Sequence, residues 1–198
     1  PLHQYFYAKD LEEAGHLEEA RKWYRKSAEN GEPNVWSLVG RWYENGTGGP
    51  VDENEALYCF EQSAARYEVG GLNELGERYY FGLHGFPKDP AKAFSYFIEA
   101  YNRGNKFSLA YLARCYLEGW GTAPDYEKAY SMAWESKDWS TCTDGCYVLG
   151  RLYCDGLGLP ADISKGVEFL QRVSNRAPEA QEELKKYKKG LFGGWKRR

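Results

Sequence analysis

The residues of this chain with chemical reach are its cysteines, its histidines, a few carboxylate pairs and one glycine cluster. Cys59, Cys115, Cys142, Cys146 and Cys154 are odd in number and show no paired spacing. Cys142 and Cys146 lie four apart, which on a helix sets their Cα atoms about 6 Å apart with side chains poorly aimed for a bridge. The five read instead as reduced cysteines tucked among helices as small hydrophobes. No histidine or cysteine cluster has zinc-ligand spacing. His3, His16 and His84 read as exposed or capping positions rather than catalytic ones, and Glu12–Glu13 and Glu18–Glu19 as solvated helix surface. Gly46-Thr47-Gly48-Gly49 suggests a phosphate cradle, but the Lys-Ser/Thr of a P-loop does not follow it and no strand precedes it. No Ser/His/Asp or Cys/His set is forced together, so no catalytic residue, metal or cofactor is expected.

Composition gives the setting. The 198 residues are 28% charged, 42% hydrophobic and 17% aromatic, with 7 Trp, 17 Tyr and 9 Phe. Aromatics fill the space between helices and let such a chain bury a core with few aliphatics. The net charge of −3 predicts no general attraction to nucleic acid or anionic membrane. Residues 179–198 hold seven basic side chains against Glu179, Glu182 and Glu183, a net of +4 that leaves −7 for residues 1–178. No run approaches the ~20 apolar residues of a membrane span. The chain opens at Pro1 without a signal-peptide pattern, as a processed product or an excised fragment would.

The elements that position these residues recur. Val39-Gly40-Arg41-Trp42-Tyr43-Glu44-Asn45-Gly46 aligns with Leu75-Gly76-Glu77-Arg78-Tyr79-Tyr80-Phe81-Gly82. Leu112-Ala113-Arg114-Cys115-Tyr116-Leu117-Glu118-Gly119 and Leu149-Gly150-Arg151-Leu152-Tyr153-Cys154-Asp155-Gly156 follow the same pattern. The register positions Gly40, Gly76, Ala113 and Gly150 are 36, 37 and 37 residues apart. Each block continues with an aspartate (Asp52, Asp89, Asp125, Asp162), then a small residue four on (Ala56, Ala93, Ala129, Gly166), then an aromatic or apolar pair. An N-terminal unit fits the second half of the pattern through Ala20, Trp23, Tyr24, Lys26, Ala28 and Gly31, with Tyr7 in the tyrosine position.

Each feature has a physical cause. Glycine or alanine at the register position marks where two helices approach too closely for a larger side chain. Tyrosine three residues later lies on the same helical face. The second glycine ends the first helix in a left-handed conformation. The aspartate caps the second helix by accepting from its free amides, and the small–aromatic spacing sets that helix's buried stripe.

Taken together, Leu-Gly-x-x-Tyr-x-x-Gly followed by Asp-x-x-Lys-Ala and paired aromatics resembles the Sel1-like repeat, a relative of the tetratricopeptide repeat, over roughly residues 4–175. The resemblance implies an all-α fold: a right-handed α/α superhelical solenoid of about five helix-turn-helix repeats over residues 1–178. Its units are approximately 1–31, 32–68, 69–105, 106–142 and 143–176, with a capping helix and basic tail over 177–198. The Gly76 block departs by one extra loop residue, with Leu83-His84-Gly85 replacing Gly-x-Gly, and the Ala113 block carries Met132-Ala133 where aromatics are expected. Some bacterial relatives staple each repeat with a disulfide. Cys146 matches one of those positions, but Ser136 to Asp138 supply no partner, which argues against a stapled array.

Repeat stacks curve, with the first helix of each unit on the concave side. By similarity to tetratricopeptide repeats, the residue after the register position faces that groove: Tyr5, Arg41, Glu77, Arg114 and Arg151. Further groove positions are Glu44, Tyr80, Phe81, Leu117 and Asp155, and upstream Asn34, Ser37, Asn73, Phe107 and Tyr147. Three arginines in five equivalent places do not help a core and would suit carboxylates on a partner, unless they pair between neighbouring repeats, as Arg41 with Glu77. The expected function is a non-catalytic adaptor or scaffold that binds a protein or peptide with acidic and apolar features. The alternative is a bacterial immunity protein that neutralises a toxin enzyme by stoichiometric binding. For the tail, a helix over 177–189 with Leu191, Phe192 and Trp195 packed back on the array is favoured over binding of an anionic membrane or a nucleic-acid strand. The free cysteines point to a reducing compartment such as the cytoplasm, whereas the resemblance also admits the periplasm.

Overall fold

The computed structural model describes residues 1–66, 68–137, 143–190 and 194–198. Its contacts divide the chain into two units, Pro1–Gly104 and Asn105–Arg198. The fold is all-α and built of repeats, apart from one short C-terminal hairpin.

The first unit holds three helix pairs: α1 (Leu2–Glu13) with α2 (Leu17–Glu29), α3 (Val35–Asn45) with α4 (Glu53–Ala65), and α5 (Val69–Phe81) with α6 (Pro90–Asn102). Each pair packs on itself, and α2 and α4 pack in turn against the first helix of the next pair. Tyr24, Trp36, Val39 and Trp42 are buried in one cluster, and Phe60, Leu72 and Leu75 in another. The second unit repeats the scheme with α7 (Leu109–Glu118), α8 (Tyr126–Ser136), α9 (Thr143–Asp155) and α10 (Ile163–Val173).

The sequence signals act as their chemistry requires. Asp52, Asp89, Asp125 and Asp162 each cap the following helix, accepting from amides two or three residues on at 2.9–3.1 Å. Gly46, Gly82, Gly119 and Gly156 end the first helices at φ between 67° and 73°. The amide of each capping aspartate also donates back across the loop to the repeat tyrosine's carbonyl: Asp52 to Tyr43, Asp89 to Tyr79, Asp125 to Tyr116 and Asp162 to Tyr153, at 2.7–3.0 Å. The extra residue of the Gly76 block bulges out between these fixed points, and His84 takes φ 51° there.

A β-carbon placed on Gly40 would meet Phe60 at 2.6 Å, one on Gly76 would meet Phe97 at 2.6 Å, and one on Gly150 would meet Leu170 at 2.6 Å. These are the close approaches the register position predicts. The Ala113 block solves the same contact differently, since the register residue gains a methyl and its counterpart eight after the capping aspartate is Ala133 rather than phenylalanine. Both alanines are fully buried.

Two expectations change. In the N-terminal unit, Ala8 is the fully buried small residue on α1. It stands twelve before Ala20, whereas Gly40 stands sixteen before Ala56, because this loop is four residues shorter. Tyr7 therefore does not hold the tyrosine position; it is part-exposed and packs edge-on to Trp23 at 5.1 Å. At the other end, the helix expected over 177–189 stops early: α11 spans Pro178–Leu184, and Tyr187–Lys189 (β1) pairs antiparallel with Trp195–Arg197 (β2). On a helix Lys185, Lys188 and Lys189 would crowd one face without an acid between them. As a strand the segment buries Tyr187 and turns Lys188 and Lys189 to solvent. Trp195 does return toward the last repeat, since β2 contacts α10. Leu191 and Phe192 lie outside the described residues, as do Asp138 and Cys142.

Candidate interaction faces

In the first unit the groove positions fall on α1, α3 and α5. With the register at Ala8, the residue after it on α1 is Lys9, so Tyr5 does not hold the groove position expected of it; it is half-buried and packs on the core, its ring 5.5 Å from that of Tyr24. Arg41 is exposed and pairs with Glu74 at 3.2 Å, not with Glu77; Glu77 instead accepts from Asn73 at 2.7 Å. Glu44 accepts from Arg78 and from His84 Nε2 at 2.9 Å, and His84 Nδ1 lies 3.4 Å from Glu53. Tyr80 is buried edge-on against Phe97 and Phe81, while Phe81 itself is 48% exposed.

Arg78 is the residue that sequence reasoning passed over. It is only 4% exposed, its guanidinium stands 4.0 Å over the Phe60 ring, and it bonds both Glu44 and Glu74. Its alignment contained the signal. Arg78 occupies the column of Trp42, Cys115 and Leu152, all buried, and a charge in such a column must bring its own partners inside.

In the second unit Phe107 lies on a short 3₁₀ turn, Lys106–Ser108, whose amide at Phe107 is held by Asn105 Oδ1 at 2.8 Å; the side chain is 73% exposed. Leu117 is buried. Arg114, Tyr147 and Arg151 come together. Arg114 is 8% exposed, reaches Asp144 at 3.2 Å and Glu118 at 3.5 Å, and lies 3.9 Å over the Tyr147 ring. Arg151 donates to the Tyr147 hydroxyl at 3.1 Å and to Asp155 at 3.0 Å, with Glu118 at 3.7 Å and the buried Glu183 at 3.9 Å. Burial works against the Arg151 charge, but these bonds outweigh it and hold its pKa above the ordinary arginine value. From the tail, Arg197 joins Asp155 and Lys186 reaches Glu183 at 2.7 Å. Arg114 therefore does help a core, contrary to the expectation that the ladder arginines would not. The carboxylates they suit are already supplied by neighbouring repeats and the tail.

The remaining chemistry is quiet. Cys59, Cys115 and Cys154 are buried and free, and Cys146 is buried. Burial pushes the Cys59 and Cys115 thiols up to about 12 and Cys154 to about 11, so they carry no thiolate at neutral pH. Among the described residues no group of His, Cys, Asp and Glu is arranged to hold a metal ion, and no helix is long and apolar enough to cross a membrane.

Comparison with known proteins agrees with the geometry. The Sel1 repeat pattern matches residues 5–32, 37–67, 70–105, 107–133 and 143–176. The chain is 34% identical over 116 residues to the ERAD-associated E3 ubiquitin-protein ligase component HRD3B of Arabidopsis thaliana, covering 57% of this chain and 17% of that one. It is 28% identical over 146 residues to chitin synthase regulatory factor 1 of Schizosaccharomyces pombe, covering 72% and 31%. It thus spans less than a third of either relative's length. Among solved structures, a Sel1 repeat protein from Oxalobacter formigenes superposes with a TM-score of 0.61 at 26% identity, covering 84% of this chain and 68% of that one. The uropathogenic Escherichia coli protective antigen c5321 superposes with a TM-score of 0.66 at 24% identity, covering 91% and 39%, which bears on the fold alone.

Proposed function

The chain belongs to the Sel1 repeat family, and on that premise we propose that it is a non-catalytic interaction module, an adaptor or scaffold that holds a protein or peptide partner on the first-helix face of its repeats. The observation that carries this reading is a contrast seen on the first helices of each unit taken by itself. In the first unit Glu44 is consumed by ion pairs while Phe81 keeps 48% of its surface in solvent, and in the second Arg114 and Arg151 are consumed by ion pairs while Phe107 keeps 73%. Exposed aromatics beside fixed polar groups are what a partner's apolar side chains find at an interface hot spot. Arg41, exposed and held by one carboxylate, adds a charge that suits an acidic residue on that partner. The relatives named as a ligase component and as a regulatory factor support the same kind of role.

The test is selection of a random peptide library on the full chain, followed by titration of the enriched peptides against variants. Phe81→Ala, Phe107→Ala and Arg41→Glu should each weaken the selected peptides several-fold, the last one acidic peptides most. Enrichment that none of the three variants alters would remove the site from this face.

A further inference from the structure

A cavity of about 900 Å³ opens in the second unit between α8, Tyr153 near the end of α9 and the loop that follows it, the start of α10 and β2. Its volume is that of an ordinary ligand cleft. The walls are Tyr126, Tyr130, Tyr153 and Trp195, with Pro160 on the loop. Gly158 lets that loop lie against Tyr126, since a β-carbon there would meet the tyrosine's own at 2.8 Å.

Among these rings Lys165 and Trp195 can only donate and the tyrosine hydroxyls can donate or accept, while the Asp162 carboxylate on the wall is taken up by capping α10. Lys165 Nζ bonds the Tyr153 hydroxyl at 2.8 Å and lies 4.2 Å over the same ring, leaving two ammonium protons for other acceptors. The hydroxyls of Tyr130 and Tyr153 stand 3.3 Å apart and share one hydrogen bond. Trp195 contributes an indole N–H, which can only donate. Glu127, exposed at the rim, belongs to no ion pair among the described residues. The corresponding lysine–tyrosine pair of the Gly76 block, Lys92 with Tyr79 at 2.6 Å, has its aromatic surface filled by Phe86 and Tyr96.

We infer that this cavity is a second docking site and that its occupant is a proline-rich segment in the polyproline II conformation, with a basic residue beside the prolines. Such a segment makes no internal hydrogen bonds, its prolines have no N–H, and it presents carbonyl acceptors between flat apolar rings. Aromatic walls that offer donors match that display, as they do wherever proline-rich ligands are held in aromatic-lined grooves. Glu127 supplies the charge complementarity that places the basic residue at the rim. The site is independent of the adaptor face, since neither Phe81 nor Phe107 lines it.

Fluorescence anisotropy of a labelled oligoproline peptide with a flanking arginine, titrated with the full chain, tests the assignment. Saturable binding is expected, with a Gly-Ser peptide of equal length and charge bound about ten-fold or more weakly. Trp195→Ala and Tyr126→Ala should each lower affinity by about ten-fold, whereas Phe81→Ala and Phe107→Ala should leave it unchanged. Glu127→Arg, at an exposed position where folding is not at stake, should reverse the preference from an arginine-flanked to a glutamate-flanked oligoproline. Three results would each overturn the inference: no saturable binding, equal binding of the Gly-Ser peptide, or oligoproline binding that the cavity variants do not change.

Discussion

Arg114 and Arg151 share one aromatic ring. Tyr147 receives the Arg114 guanidinium on its face at 3.9 Å and a hydrogen bond from Arg151 on its hydroxyl at 3.1 Å. The two ladder arginines are thus one structural assembly with Glu118, Asp144 and Asp155. Removing one member of a buried pair strands the other's charge. Arg114→Ala is therefore expected to cost about 3–5 kcal/mol in urea unfolding, whereas Arg41→Ala, at an exposed pair, should stay within about 0.5 kcal/mol. Equal costs would mean that the network does not hold the second unit together.

Close approach at the register position predicts coupled volumes. Gly76→Ala should destabilise by about 1–3 kcal/mol, because its new methyl enters the space of Phe97. In the Ala113 block the volumes are exchanged, so Ala133→Phe alone should destabilise, and Ala113→Gly added to it should restore part of the loss. A double-mutant cycle that gives a coupling below about 0.5 kcal/mol would show that the two positions do not share this space.

How much was legible in the sequence followed from how directly backbone geometry dictates a residue. The turn glycines, capping aspartates and small register residues each answer a local steric or hydrogen-bonding demand, so their spacing alone located eight helices in four pairs, while the N-terminal pair was read only from the match of its second half. Tyr7 misled because aromatic identity was matched without loop length, and the shorter first loop moves the register to Ala8. Arg78 was missed because one charge in an apolar column looks like surface until its partners, Glu44 and Glu74, are brought beside it from two helices. The hairpin at the tail was hidden by its lysines, which read as a polar helix end and instead lie on a strand that buries Tyr187 and leaves Lys188 and Lys189 exposed.

The helix caps should behave as separate, similar increments. Asp89→Ala and Asp162→Ala are each expected to lower stability by about 1 kcal/mol through loss of the hydrogen bonds to Lys92 N and Lys165 N. The double variant should equal the sum to within about 0.5 kcal/mol in chemical denaturation, since the two caps share no partner.

Alkaline pH should loosen the core. The buried Cys59, Cys115 and Cys154 thiols are raised from 9.0 to about 12, 12 and 11. A group whose folded pKa is raised contributes its full stability below the unfolded value and loses it as pH climbs to the folded one. Melting temperature is thus expected to fall from about pH 9 upward, with the decline flattened in Cys59→Ala relative to its own value at neutral pH. A melting curve indifferent to pH between 9 and 11 would show that these thiols do not ionise on unfolding.

The amide-to-carbonyl bond that joins each capping aspartate to the repeat tyrosine has a consequence for how such an array changes over time. Asp89 and Tyr79 keep this bond at 2.7 Å although one more residue lies between them than in the other three loops. The helix pair is clamped at the neck of the loop, and whatever length is added beyond the neck is spent outside it, where His84 now meets Glu44 and Glu53. Residues 83–87 are therefore a place where insertions can accumulate and new surface can be tried while the helices on either side keep their spacing.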